Sequence, residues 1–411
     1  MSNSIKKDVR LWMLIAANFS SAIGMGILSI GVAWLILEQP QGEKLLGIIM
    51  VVTTILIFFG APYIGSLVDR FSRKRLFQLN QVFIFLIVFP IALFGYWNQE
   101  LTTWQLLALY IASVIYYSIH YPTMLAFVQE IFDSKAHNRL NGVLEIQSQA
   151  ASMIAGGLAG ILFQLMDPAR LLMAVAIGFV MSFVLLSSIP YQRKLIKRDH
   201  TTIFSSMFAG VPFIKQHWKI CLSIFALTIP FLTLMVGNYL RPVFIQTTLE
   251  ADASIYGFSN MIYSIGAVLA GIFIPIIYAK WGPWIASMLA VATYTVSLVF
   301  IAVLPFIGLF LFMQILTGIG NAGSRICKQN LMMAHIPNAF IGRVNGMFEA
   351  VGTSIRLVLL LAFTYALDWI SVQTAFFITA ILSFAGLLFL IKRKKMSLER
   401  HRKHDLSKVL K

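Results

Sequence analysis

The chain has 411 residues, of which 59% are hydrophobic and only 12% charged, with a mean hydropathy of +0.82 and a formal net charge of +16. Such a composition is far too apolar for a water-soluble globular fold, so most of the chain must face lipid. The positive charge would suit a nucleic-acid binder, but its placement argues against that class.

A hydrocarbon core of about 30 Å needs about 20 apolar residues per helix, and runs of that length follow one another nearly end to end. Strand-length alternation is absent, and lipid cannot satisfy a free backbone, so the spanning elements must be helices. Twelve are predicted: 11–37, 44–65, 76–97, 102–129, 139–166, 169–190, 219–247, 256–279, 284–304, 307–334, 343–367 and 371–391. With the N-terminus in the cytoplasm, Lys44 and Arg170 fall outside, and Arg241, Arg325, Lys328 and Arg356 fall within spans. Every other one of the 32 Lys and Arg then lies on the cytoplasmic side. The positive-inside rule therefore orients the chain, and Glu38, Glu43, Glu100, Asp167, Glu250, Asp252 and Asp368 populate the opposite loops.

Met1 to Arg10 leads into a long first span with no small-residue cleavage pattern, which predicts an uncleaved span. That span carries Asn18, Ser21, Met25 and Ser29 at helical spacing. The loop after the second span reads Gly65-Ser66-Leu67-Val68-Asp69-Arg70-Phe71-Ser72-Arg73-Lys74-Arg75. A glycine there lets helices approach, an acid can sit at a helix N-terminus, and arginines pair with carboxylates. Ser113, Tyr117, His120 and Met124 share a face of the fourth span. In the fifth, Glu145, Gln149, Ser152 and Gly156 form a polar or small face that runs into Gly156-Gly157-Leu158-Ala159-Gly160.

The longest interruption, 191–218, divides the spans six and six. Its Ile203, Phe204, Met207 and Phe208 suit either an interfacial segment or a plain linker. Cys221 and Cys327 form no ligand-spaced pair, the histidines are scattered, and neither a metal site nor a cofactor is predicted. The seventh span offers Asn238, Tyr239 and Arg241. The tenth carries Gln314, Thr317, Asn321, Arg325 and Lys328 along one stripe. Gly318-Ile319-Gly320-Asn321-Ala322-Gly323 matches GxGxxG, but it sits inside an apolar helix with no strand before it, which argues against a dinucleotide site. Glu349, Thr353 and Arg356 share a face of the eleventh span. Glu349 and Arg356 lie about 10 Å apart along the axis and should each pair across helices. Ionisable groups within a bilayer are costly, so Arg325, Lys328, Arg356, Glu145 and Glu349 are expected to be functional or paired. The tail, 392–411, opens with Lys392-Arg393-Lys394-Lys395, which suits contact with anionic lipid.

Arg139-Leu140-Asn141-Gly142-Val143-Leu144-Glu145 and Arg343-Val344-Asn345-Gly346-Met347-Phe348-Glu349 both read RxNGxxE, at the starts of the fifth and eleventh spans. Matched motifs at matched positions predict two related halves, 1–190 and 219–391. The loop at 65–75 resembles the GxLxDRxGRK signature of the major facilitator superfamily, with Ser72 at the second glycine. The corresponding place in the second half, Tyr278-Ala279-Lys280-Trp281-Gly282-Pro283, lacks the acid.

That resemblance implies the superfamily fold, with twelve helices in two pseudo-symmetric six-helix halves. It also implies a cytoplasmic latch of Gly65, Asp69, Arg70, Arg73 and Lys74 with Glu145 and Glu349. There Asp69 would meet the eleventh span near Asn345 and Gly346, and Glu349 would pair with Arg70 or Arg73. In the family the first, fourth, seventh and tenth helices line the cavity. This makes Asn18, Ser21, Met25, Tyr117, His120, Asn238, Gln314, Asn321, Arg325 and Arg356 the substrate-site candidates.

Gly156 to Gly160 is similar to the fifth-helix GPxxG motif of exporters, with Gly157 in place of proline, although small residues pack closely whatever the function. Phe208 to Trp218 resembles the segment before the seventh helix in the macrolide-efflux and enterobactin-exporter-like branch. The implied function is export of a mid-sized amphiphilic drug, antibiotic or siderophore by a monomer in the bacterial inner membrane, by alternating access. Import or uniport of a small polar or anionic solute is the alternative. Proton coupling is implied by the family alone, because the first span holds no acid. His120 could carry a proton or simply bond between helices.

Overall fold

The computed structural model describes residues 8–132, 137–191 and 211–409, and their side chains other than those at 69, 137–139, 141, 142, 145, 338, 339 and 394–409. The side chains of Asp69 and Glu145 and most of the linker, including Ile203, Phe204, Met207 and Phe208, thus lie outside the described residues.

Among the described residues every regular element is a helix, and eleven runs are long and apolar enough to cross a membrane. The first six spans are Val9–Leu37, Gly42–Arg70, Arg73–Asn98, Thr103–Ile131, His137–Leu165 and Pro168–Ser187. Several of these spans open on side-chain caps. Asp8 accepts from the Arg10 N–H at 2.9 Å, Thr102 and Gln105 form a capping box, and Asp167 caps a helix that opens on Pro168.

The seventh span departs from the single helix expected over 219–247. It forms Trp218–Ala226 and then Ile229–Thr247, because Pro230 has no N–H to donate to the Ala226 carbonyl. The eighth and ninth form one run, Ala253–Val303, of 51 residues. At Gly282 the backbone turns to φ +83° and ψ 169°, a conformation that essentially only glycine tolerates, so the run is two spans joined at a kink. Ile307–His335, Asn338–Ala366 and Val372–Val409 complete the set. The last helix continues past the expected end at 391 into the basic tail.

The described chain divides into two compact units, one drawn from Met1–His200 with Arg241–Ser264, the other from Thr201–Leu240 with Ile265–Lys411. In the first, Leu11, Leu14, Phe77, Phe127, Leu144 and Leu186 bring five spans to one apolar cluster. In the second, Cys221, Ile274, Ala290, Cys327, Phe348 and Leu390 bring six spans to another. Lipid supplies no hydrophobic drive between helices, so interhelical hydrogen bonds matter, at roughly 0.6 kcal/mol each on average. Gln81 Nε2 donates to the Tyr116 hydroxyl at 3.1 Å, Thr233 to the Tyr294 hydroxyl at 3.1 Å, and Thr317 to Ser297 at 3.0 Å. Large apolar side chains such as Phe59, Leu86, Ile177, Val358 and Phe377 stand exposed along the spans, which only a lipid surroundings makes tolerable.

Candidate functional site

In the first unit the polar faces of the first and fourth spans are largely packed away. Asn18, Ser21 and Met25 are buried, and Asn18 Nδ2 contacts Met124 Sδ at 2.8 Å. Tyr117 is exposed. The His120 ring lies between Tyr116, at 5.0 Å and 30°, and Phe77, at 4.9 Å and 80°. Its Nδ1 is buried without a hydrogen-bond partner among the described residues, so the interhelical hydrogen bond expected of His120 is not made there. Aromatic packing positions the imidazole instead.

At the end of this unit that bears the signature loop, Arg73 Nη1 stands 2.6 Å from Glu130 Oε1, with Glu130 only 7% exposed. The Tyr191 hydroxyl donates to the other oxygen of Glu130. Lys74 Nζ donates to the carbonyls of Ser187 at 2.8 Å and Ile189 at 2.6 Å, which satisfies the open end of the sixth span. Arg73 and Lys74 therefore fasten the third span to the fourth and sixth. Arg70 is exposed at the end of the second span. Among the described residues, a Cβ on Gly65 would meet nothing within 4 Å, and the same holds at Gly346.

A close approach is made at the other end of the unit. A Cβ on Gly156 would stand 2.8 Å from the Gly257 carbonyl oxygen, and one on Gly257 would stand 2.5 Å from that of Gly156. The fifth and eighth spans thus touch backbone to backbone, which no larger residue permits. Gln164 Nε2 adds a 3.0 Å hydrogen bond to Asp252 Oδ2 beyond this crossing.

In the second unit the stripe of the tenth span splits into two parts. Gln314, Thr317, Asn321 and Ser324 are buried, and Thr317 is tied to the ninth span. Gln314 is 0% exposed, yet neither its amide nitrogen nor its amide oxygen has a hydrogen-bond partner among the described residues. Further along, Arg325 is exposed, with its guanidinium 5.7 Å above the Phe231 ring. Lys328 Nζ lies 3.0 Å from Glu349 Oε1. Glu349 is thus engaged by Lys328 inside the second unit, as Arg73 is by Glu130 inside the first. Asn238 and Arg356 are half-buried. In the first unit, Arg241 is buried with its guanidinium 5.9 Å above the Tyr263 ring.

Glu130, Tyr191 and Phe231 were not among the sequence candidates. Only Glu130 left a signal, as an acid at an end of the fourth span where basic residues gather.

The arrangement has counterparts. The family model described as Major Facilitator Superfamily matches residues 14–359, most of the chain, and also 242–410. The chain belongs to the major facilitator superfamily. An uncharacterized MFS-type transporter, YfiS of Bacillus subtilis (strain 168), is 22% identical over 397 residues, covering 93% of each chain. Solved structures share the fold at low identity, among them the following two. A bacterial homologue of the iron transporter ferroportin in an inward-facing state is 15% identical with TM-score 0.71, covering 94% of this chain and 99% of that one. A variant of the nucleoside transporter NupG is 14% identical with TM-score 0.70, again covering 94% and 99%. As a member of this superfamily, the chain is a multi-pass membrane protein that transports small molecules rather than an enzyme.

Proposed function

We propose that this transporter exports mid-sized amphiphilic compounds across the bacterial inner membrane by alternating access, as a monomer with both termini in the cytoplasm. The observation that carries the reading is the charged group of Arg325, Lys328 and Glu349 on an accessible face of the second unit, well within the spans. Arg325 lies about 15 Å along the helix from His335. A guanidinium at that depth costs several kcal/mol against lipid, so it belongs on a path that water and solute reach. Outward direction is supported by the resemblance of Phe208 to Trp218 to the exporter branch and by the glycine-rich fifth span. The basic side of the loops supports the orientation.

The test is uptake of candidate amphiphiles into oriented proteoliposomes, with and without an imposed pH gradient. Accumulation on the side that corresponds to the cell exterior is expected, and movement only in the opposite sense would replace export with import. Dependence on the gradient identifies protons as the coupling ion, and its absence removes the antiporter reading. Within this scheme Asp69 serves the latch, so Asp69→Ala should cut transport tenfold or more while insertion is unchanged. Unaltered transport would sink that assignment.

A further inference from the structure

Three spans of the second unit converge on one small region. Phe231 comes from the seventh, Arg325 and Lys328 from the tenth, and Glu349 from the eleventh. A Cβ on Gly352 of the eleventh span would touch Leu232 at 3.8 Å and Thr228 at 4.0 Å, which places the seventh span beside the Glu349 turn. The charges there do not balance. Lys328 is matched by Glu349, but among the described residues Arg325 faces no carboxylate and rests only on the Phe231 ring. A cation–π contact recovers about 0.5–2 kcal/mol, less than the roughly 2.5–3.5 kcal/mol that an arginine costs at the centre of a span.

We propose that Arg325 and Lys328 form the recognition site for an anionic group on the transported amphiphile, with Glu349 as its internal stand-in. This deepens the transport reading and rests on it. Arg325 and Lys328 are three residues apart on one helix, so their stems are neighbours, about 5–6 Å apart at Cβ. A carboxylate or sulfonate can therefore reach both at once. Phe231 holds the guanidinium in place and offers a flat apolar surface beside it, which suits an aromatic acid. Glu349 is exchangeable, because its side chain is 50% exposed while that of Lys328 is only 13% exposed. An incoming anion displaces Glu349 from Lys328 and neutralises the excess charge of Arg325. A cation of the same shape would be repelled by both.

Two xanthene dyes of one scaffold and opposite charge, fluorescein and rhodamine 123, serve as probes. Binding to the purified full chain is read by fluorescence polarisation, and transport is read in proteoliposomes. The intact protein should bind fluorescein at least tenfold more tightly than rhodamine 123. Arg325→Ala and Lys328→Ala should each weaken fluorescein binding tenfold or more. Glu349→Gln, which removes the competing charge but keeps the shape, should tighten it severalfold, and this arm stands even if an alanine variant fails to fold. Equal or better binding of rhodamine 123, binding of neither dye, or fluorescein binding untouched by both alanine variants would overturn the assignment. Fluorescein bound in the expected pattern but never moved would leave the anion site and remove the export reading. Rhodamine 123 moved while fluorescein is ignored would do the reverse.

Discussion

Arg73 and Glu130 form a buried ion pair, 2.6 Å between Nη1 and Oε1, with the Tyr191 hydroxyl on the second carboxylate oxygen. The carboxylate is thus shared between the start of the third span and the residue where the central linker begins. Removing one partner of a buried pair strands the other charge, at about 3–5 kcal/mol. Glu130→Ala should therefore lower the thermal unfolding temperature of the purified protein far more than Tyr191→Phe, which loses one hydrogen bond worth about 1 kcal/mol. Comparable losses from the two variants would show that Tyr191, not Arg73, is the principal partner of Glu130.

The glycines of the two ends should behave oppositely. At Gly257 an added methyl would press on backbone atoms of Gly156 and Gly160 at 2.5 Å, and backbone cannot swing aside. Gly257→Ala is expected to cost about 1–3 kcal/mol and to slow transport. At Gly65 the methyl meets nothing among the described residues, so Gly65→Ala should leave unfolding within about 0.5 kcal/mol of the parent. Matched melting curves of the two variants provide the check, and a destabilised Gly65→Ala would contradict the open surroundings of that residue.

How much of this could be read in advance differs between fold and site. The spans were legible because the need for about 20 apolar residues per crossing prints itself directly on hydropathy. The pause between the eighth and ninth spans was visible in Trp281-Gly282-Pro283, although not that the helix resumes at once on either side. The site was harder. Helical periodicity shows which residues share a face, as it did for Gln314, Asn321, Arg325 and Lys328, but not which neighbouring helix that face meets. Periodicity alone does not show that Lys328, 21 positions before Glu349, lies against it from the neighbouring helix. The isolated Glu130 carried no periodic signal, and Phe231 looked like any other apolar residue of the seventh span.

Asp252, just ahead of the eighth span, is held below its ordinary value of 3.8 chiefly by the Ser254 hydroxyl, with burial opposing and the Gln164 amide assisting. A depressed carboxyl pKa favours the folded state above the unfolded pKa, and that contribution is lost as the pH falls below 3.8 towards the folded value. The stability of the parent should therefore drop more steeply than that of Asp252→Asn on acidification through this window. Melting temperatures measured down to about pH 3 test this, and parallel curves would show that the carboxylate contributes nothing.

Gln314 presents the sharpest contrast between stability and function. Its side chain is 0% exposed, with both polar atoms unmatched among the described residues, on the same stripe as Arg325 and Lys328. A buried polar group without partners costs about 1–3 kcal/mol, and a protein that keeps one has a use for it. Methionine has nearly the same shape and no such cost. Gln314→Met should accordingly raise the melting temperature while transport declines, because an amide set aside for a solute or a second conformation has been removed. A variant that is less stable would mean that the amide is satisfied in the working protein. A variant that is more stable and fully active would mean that Gln314 takes no part in transport.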